Sequence, residues 1–376
     1  MLDKKVVDTL KSIVGDENVL TDAGDLLTYS YDGTPDQPQV LPEVVVMPES
    51  EEEIVQIVKL AKEEGLHIYT RGSGTNLSGG TIPLRKGIVL VTTRMNKIVE
   101  VDAENLTATV QPGVVINTLN DAVSPYGLMY PPDPGTVKTA TMGGSVSESS
   151  GGLRGLKYGV TKDYVMGVRM VLANGEVVTF GGKSVKNVAG YDLTKLVCGA
   201  EGTLGIITEA TLKVIGRPKY VKSAMATFKS VADACTAVGD CLKSGVTPTA
   251  AELMDKLSCE ATAKFNDFPI ADNVGAMLVF DLDGNTPEIC AADMAILEDV
   301  CRKDGALDFT LAADDAEREH LWNLRNKLST ALKSLAPDRV GEDITVPRAE
   351  LPHVCTEIIN ICAKYGFQVS IFGHAG

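Results

Sequence analysis

The chain has 376 residues, enough for two domains with separate cores, and its 44% hydrophobic and 23% charged residues are the balance of a globular protein. Its 35 basic and 50 acidic residues leave a net charge of −15. Such a chain is a poor partner for nucleic acid or an anionic membrane, which call for clustered Lys and Arg. It holds no run of 18 apolar residues, so no transmembrane helix is expected.

The N-terminal stretch MLDKKVVDTLKSIV has apolar residues at helical spacing, broken by charges. It reads as an amphipathic surface helix rather than a signal peptide, which predicts a cytoplasmic protein. Residues 43–47 form a strand; Ser50 and Glu53 then open a helix whose apolar face is Ile54, Ile57, Val58 and Ala61, stopped at Gly65. A strand at 67–70 leads into the loop TRGSGTNLSGG at 70–80. Strands are expected at 88–91, 98–101 and 106–111, and a helix at 114–124. Residues 130–160 are rich in Gly, Pro, Ser and Thr and lie between well-patterned elements, so they read as wrapped on a ligand rather than disordered. A hairpin over 164–173 and 176–180 turns at Asn174-Gly175, followed by a helix near 192–198, a glycine cluster at 199–205 and a strand at 206–214.

Near Arg217-Pro218 the texture changes. Helices are expected at 229–243, 251–264, 287–303, 314–334 and 349–364, with strands at 275–281, 342–346 and 367–372. The fold class is therefore α+β, with domains at 1–217 and 218–376. None of the 8 cysteines forms CxxC, which excludes zinc-ribbon and thioredoxin-type sites and leaves buried reduced thiols; Cys355 and Cys362 can share a helix face.

Two familiar nucleotide motifs fail. A dinucleotide fingerprint starting at Gly72-x-Gly74 needs glycine where Leu77 stands, and a phosphate loop before Gly182-Lys183-Ser184 needs glycine where Val177 stands. What remains is a backbone nest: converging N–H donors with side chains small enough for a pyrophosphate to approach. Arg71, Gly72, Ser73, Gly74, Thr75 and Asn76 supply one such segment, extended by Gly79 and Gly80. Gly143, Gly144, Ser145, Ser147, Ser149, Ser150 and Gly151 supply further amide and hydroxyl donors. Taken singly, each segment reads better as a plain turn.

Taken together, RGSGTNLSGG, PPDPGT…TMGGSVSESSGGLRGLKYG and GAEGTLGIITEATLKV, in this order and spacing, resemble the FAD-binding domain of the vanillyl-alcohol oxidase and p-cresol methylhydroxylase (PCMH) superfamily. Within it, the chain is most similar to FAD-linked 2-hydroxyacid dehydrogenases of the glycolate oxidase and D-lactate dehydrogenase type. The resemblance implies a two-lobed PCMH-type FAD-binding domain followed by an α+β cap domain. It places the pyrophosphate on residues 71–76 and Gly79, and the isoalloxazine beside Pro132, Asp133, Pro134, Gly135 and Thr136. Thr139, Gly143, Gly144, Ser147, Ser150, Gly151 and Tyr158 resemble further diphosphate, ribose and flavin contacts. Glu201, Gly202, Gly205 and Ile207 resemble the adenosine side. Some relatives attach FAD through a histidine in the first loop; Thr75 stands in that region and no histidine lies between 68 and 319, so noncovalent FAD is expected.

In the cap, Arg325 resembles the arginine that pairs with a substrate carboxylate, a task suited to its two-pronged guanidinium. Ser329, four residues on, can add a hydrogen bond; Arg339 and Glu342 precede a stretch, EDITVP, that also resembles the family. His374 in FGHAG resembles the first ligand of a divalent metal (Zn, Fe or Mn). The second histidine and the later Glu-His segment of the family do not appear before Gly376, so a cap cut short at its C-terminus is expected. The implied reaction is oxidation of D-lactate or glycolate to the 2-oxo acid, with electrons leaving to an electron-transferring flavoprotein or an iron–sulfur subunit. The alternatives are a flavin-binding fragment or electron-transfer module without turnover, and an apo scaffold subunit.

Overall fold

The computed structural model describes residues 2–35, 37–85, 87–336 and 340–376. It divides into two compact units, Met1–Gly152 with Gly159–Arg217, and Leu153–Tyr158 with Pro218–Gly376. The architecture is α+β.

The first unit contains β1 (Val19–Leu20), β2 (Val44–Val46), β3 (Ile68–Arg71), β4 (Ile88–Val91), β5 (Ile98–Asp102), β6 (Thr107–Val110), β7 (Leu128–Met129), β8 (Val165–Val171), β9 (Val177–Gly181), β10 (Ile206–Lys213) and β11 (Ile215–Gly216). One sheet has the order β1-β2-β4-β3, with β2 and β3 both parallel to β4. Strands β2 and β4 are continuous apolar runs because they are covered: Val44, Val46, Ile88 and Leu90 pack with the helices Lys4–Val14 and Glu51–Glu63. Ser50 caps the second of these helices through Glu53 N–H at 3.2 Å. The returning Glu53 carboxylate accepts from Glu49 N–H at 2.6 Å, one residue before the position a capping box uses. The other large sheet, β5-β6-β10-β8-β9, is antiparallel throughout, and β7 pairs with β11.

The second unit holds β12 (Tyr220–Phe228), β13 (Ala250–Asp255), β14 (Ala276–Gly284), β15 (Asp308–Leu311) and β16 (Phe372–His374), an antiparallel sheet in the order β15-β12-β14-β13-β16. Strand alternation feeds two cores. Ala224, Ala226, Phe228, Leu278 and Phe280 face the helices Val231–Lys243 and Pro287–Lys303, while Met225, Met254, Met277 and Val279 face Trp322 and Leu328 on the other side. A fully buried side chain such as Phe280 contributes roughly 1.5–3 kcal/mol.

Four expectations change, the first being the strand expected at 367–372, which is Phe372–His374. The helix expected from 251 begins at Lys256; Ala250–Asp255 is strand β13, and Asp255 ends it by capping Ser258 N–H at 3.0 Å. The helix expected over 314–334 breaks at Lys327 into Asp315–Asn326 and Leu328–Lys333. At that break the Thr262 hydroxyl donates to Leu324 O at 2.5 Å, an intrusion of the kind that interrupts a helical ladder. Residues 342–346 are exposed or half-buried coil rather than a strand. Among the described residues no helix is long and apolar enough to cross a membrane. The cysteines are unpaired, and all but Cys362 are buried.

Candidate functional site

In the first unit the loop after β3 is splinted by residues 31–34. Arg71, only 7% exposed, donates through Nη1 to Tyr31 O at 2.6 Å and to Thr81 Oγ1 at 3.2 Å. Asp32 accepts from Thr34 N–H at 2.9 Å, Asn76 Nδ2 at 2.8 Å and Thr81 Oγ1 at 3.2 Å. Burial works to raise the Asp32 carboxyl, but the hydrogen bonds from Thr34, Asn76 and Thr81 outweigh it and hold the group below the ordinary aspartate range. Gly33 N–H donates to Gly74 O at 3.0 Å and Gly79 N–H to Thr34 Oγ1 at 2.8 Å. The sequence reading passed over this splint, although Asp-Gly-Thr at 32–34 is a turn-forming sequence.

Two glycines of the loop have no alternative. A Cβ on Gly72 would stand 2.0 Å from Thr141 Oγ1, and one on Gly74, whose φ is +69°, would stand 2.2 Å from Arg71 Nη2. Among the described residues none accepts from the N–H groups of Ser73, Gly74, Thr75 or Asn76.

The other glycine-rich segments close onto this loop. Thr141 lies against Gly72, and Ser78 Oγ donates to Glu148 Oε1 at 3.2 Å. Gly199 N–H donates to Val146 O at 3.0 Å and Glu201 N–H to Ser147 O at 2.9 Å, which fixes the third segment on the second. Ser145, Ser150 and Thr161 join hydroxyls at 2.5–3.2 Å. The expected role of Gly143 as an amide donor does not hold: its N–H bonds Pro112 O at 2.7 Å, and a Cβ there would stand 2.6 Å from Pro112 Cβ. Gly143 is a packing glycine. Gly144 has more room, since a Cβ there would stand 3.4 Å from Thr141 Oγ1, and a Cβ on Gly151 would stand 3.0 Å from Val160 Cγ1.

Residues Pro132–Thr136 meet the end of the second segment, where a Cβ on Gly152 would stand 2.0 Å from Asp133 O. Pro134 O accepts from Val137 N–H at 2.8 Å, and Thr136 O accepts from Thr139 N–H at 2.8 Å; Gly135 faces open space. A Cβ on Gly205 would stand 2.6 Å from Val171 O, Ile207 pairs with Met170 across β10 and β8, and Gly202 is open with φ +72°. Tyr158 belongs to the second unit, where its hydroxyl donates to Asp283 Oδ2 at 2.8 Å.

Glu148, also passed over, is a half-buried carboxylate beside the loop. Burial, then the charge of Glu201 and that of Asp32, raises it above the ordinary glutamate range, against the bond from Ser78.

These features fit a bound dinucleotide. Among the described residues four consecutive amides lack acceptors, a side chain on Gly72 or Gly74 would meet atoms already there, and the hydroxyls of Thr141 and Ser149 are buried without a hydrogen-bond partner.

In the second unit two residues singled out for different tasks share one carboxylate. Arg325 Nε donates to Glu252 Oε2 at 2.7 Å, and His374 Nδ1 lies 2.5 Å from Glu252 Oε1. Glu252 is 0% exposed. Arg325 also sits over the Phe372 ring at 5.2 Å. Ser329 is exposed and lies beyond the break at Lys327; Glu342 is exposed, and Arg339 is outside the described residues. Among the described residues no group of three His, Cys, Asp or Glu side chains is placed to hold a metal ion, so no step is derived through one.

The fold and the nest are those of a flavin-binding protein. Residues 42–181 match the FAD binding domain model, and residues 217–376 match that of the FAD linked oxidases, C-terminal domain. The chain belongs to the FAD-linked oxidases. It is 42% identical over 376 residues to glycolate oxidase subunit GlcD of Bacillus subtilis, spanning all of this chain and 80% of that protein. It is 36% identical over 341 residues to D-lactate dehydrogenase of Anaerostipes hadrus, spanning 89% of this chain and 72% of the relative. Solved p-cresol methylhydroxylase shares its fold at a TM-score of 0.68 and 20% identity, over 86% of this chain and 71% of that one. The chain spans 64% to 80% of the length of the proteins it matches. The match to the C-terminal model runs to Gly376, and the expected truncation of the cap is not borne out by it.

Proposed function

We propose that this chain oxidises a small 2-hydroxy acid, D-lactate or glycolate, to the 2-oxo acid and delivers the electrons to a protein acceptor. FAD, when bound, supplies the two-electron chemistry. The observation that carries the reading is the convergence of three glycine-rich segments on a row of amides that no described residue accepts from. These amides hold the diphosphate by backbone N–H groups, and the missing side chains let it approach. Thr75 and the absence of histidine from 68–319 favour noncovalent attachment.

Arg325 binds the substrate carboxylate. Its Nε is taken by Glu252, so the two terminal amino groups meet the carboxylate oxygens. The names of two relatives, a glycolate oxidase subunit and a D-lactate dehydrogenase, support a hydroxy acid as substrate, and the first supports a partner subunit as acceptor. An electron-transferring flavoprotein or an iron–sulfur subunit fits that role. The backbone nest favours a working flavoprotein over an apo scaffold.

The test is anaerobic. Protein reconstituted with FAD is mixed with D-lactate, L-lactate or glycolate and its flavin absorbance followed. Bleaching by D-lactate or glycolate is expected, with L-lactate slower. A reconstituted flavoprotein that no 2-hydroxy acid bleaches overturns the reading. Protein left colourless after FAD is supplied overturns the flavin site itself.

A further inference from the structure

The helix Val231–Lys243 carries cysteines at 235 and 241, and each meets a cysteine of a neighbouring helix. Cys235 is hydrogen-bonded to Cys355 of the helix Leu351–Tyr365, and Cys241 to Cys301 of the helix Pro287–Lys303. All four lie in one core and are 4% exposed or less. Six residues make about one and two-thirds helical turns, so the two side chains leave Val231–Lys243 in different directions, one toward each neighbour. A single buried cysteine is a small apolar residue and asks for no further role. Two touching pairs across three packed helices are more than that, because a disulfide requires sulfurs already brought side by side.

The two pairs differ in how firmly their helices are seated. Pro287–Lys303 buries Cys290, Met294, Leu297 and Cys301. Among the described residues of Leu351–Tyr365, Cys355 alone is buried, and Ile359, Ile361 and Tyr365 are exposed. A helix with so little apolar burial lifts away at lower cost than the rest of its unit. Opening there uncovers Cys235 and Cys355 together, while Cys241 and Cys301 stay closed until the core opens. The first pair is also unsymmetrical. The hydrogen bond from Cys235 lowers the Cys355 thiol, against its burial and the charge of Asp255, and the same bond together with burial raises the thiol of Cys235. Cys355 is therefore the sulfur that ionises first and attacks.

We propose that Cys235 and Cys355 are a redox latch: hydrogen peroxide joins them in a disulfide that fastens Leu351–Tyr365 to Val231–Lys243, while Cys241 and Cys301 remain thiols. The Cys355 thiolate attacks one peroxide oxygen, the O–O bond breaks, and hydroxide leaves and takes up the proton that Cys355 released. The Cys235 sulfur then attacks the resulting sulfenic sulfur, the S–O bond breaks, and a second water leaves with the Cys235 proton. Two thiols and one peroxide give one disulfide and two waters, and the two sulfurs lose two electrons. Leu351–Tyr365 leads through Gly366 toward β16, so the latch also tethers the chain that returns to that edge strand. None of this depends on which acid the flavin oxidises.

The test uses the full-length protein reconstituted with FAD, reduced, freed of reductant, treated with hydrogen peroxide and alkylated under native conditions. Peptide mass spectrometry should find residues 235 and 355 joined, with Cys241 and Cys301 alkylated only after denaturation. Hydrogen exchange of the amides in 351–365 should slow roughly tenfold on oxidation and recover with dithiothreitol. In Cys235→Ser the sulfenic acid on Cys355 should persist, trapped by dimedone, and exchange should not slow. In Cys355→Ala, which lacks the attacking sulfur, Cys235 should remain a thiol. Cys362 stands about 10 Å along the same helix from Cys355 and should not bridge to it. A folded native protein in which Cys355 stays reduced, in which residues 241 and 301 join as fast, or in which the joined helix exchanges as before overturns the proposal.

Discussion

Between Arg71 and Gly80 the first unit places four glycines in ten residues, and the groups offered to a ligand are main-chain amides that are neighbours in sequence. In the second unit, Arg325 and His374 stand 73 and 122 residues from the glutamate that joins them. One site is made by leaving side chains out, the other by bringing two side chains to one buried carboxylate. The two should fail differently. Adding atoms damages the first, because neighbours already fill the space a side chain would take. Changing the pattern of donors and acceptors damages the second, even when shape is preserved.

The sharpest way to break that contrast is Gly72→Ala. The new Cβ would stand 2.0 Å from Thr141 Oγ1. Overpacking of this kind costs about 1–3 kcal/mol and moves the loop whose amides no described residue accepts from. FAD affinity should fall by roughly 10- to 100-fold, read as the flavin-to-protein ratio after desalting. Adding Thr141→Ala should restore melting temperature to the folded protein. If the single variant keeps its flavin, the loop is not the diphosphate site.

The matching experiment in the second unit adds almost no volume. Arg325→Lys keeps the positive charge beside Glu252 but removes the planar fork. KM for the hydroxy acid should rise roughly tenfold, with little change in melting temperature, as checked by steady-state kinetics and thermal unfolding. An unchanged KM would take the substrate carboxylate away from Arg325.

The same difference explains what could be read from the chain alone. The glycine segments, β2 to β4, and the hairpin at Asn174-Gly175 are local in sequence, and each announces itself by spacing. That Gly72 meets Thr141, or Gly199 meets Val146, follows from folding over long separations; the segments could be picked out, but not their contacts. A packing glycine and a donor glycine look the same in a sequence, so nothing in the spacing shows that the Gly143 N–H is taken by Pro112 O. Ala250–Asp255 was missed as a strand because Ala, Glu, Leu and Met favour helix, and only burial between β14 and β16 overrides them. Glu252 fell inside that error. Asp255 and Ser258, three apart, were the cap signal that would have moved the helix start.

Asp32→Asn probes the splint under the first site. Its carboxyl is held below the ordinary range, so the unfolded chain binds more protons between that depressed value and about 3.8. The stabilisation is complete at neutral pH and is lost as pH falls through the folded-state value. The variant should be roughly 1–2 kcal/mol less stable at pH 7, and the gap to native should close below pH 3.8, measured by chemical denaturation. A gap independent of pH would assign the effect to packing rather than to charge.

Glu148 should respond in the opposite sense, and least. Burial and the nearby charges of Glu201 and Asp32 raise its carboxyl, so the folded state binds the extra proton in the window above 4.5. Stability therefore falls as pH rises through that window, and ionised Glu148 is a small liability at neutral pH. Glu148→Gln keeps the shape and can still accept from Ser78. It should be more stable than native by no more than about 0.5 kcal/mol at pH 7, the difference vanishing below pH 4.5 where both states are protonated. Denaturation curves at pH 4 and pH 7 check it. A variant less stable than native at pH 7 would mean that the Ser78 bond needs a charged acceptor. The bridge between the first and second glycine segments would then rest on that charge, and the first site would depend on a side chain as the second does.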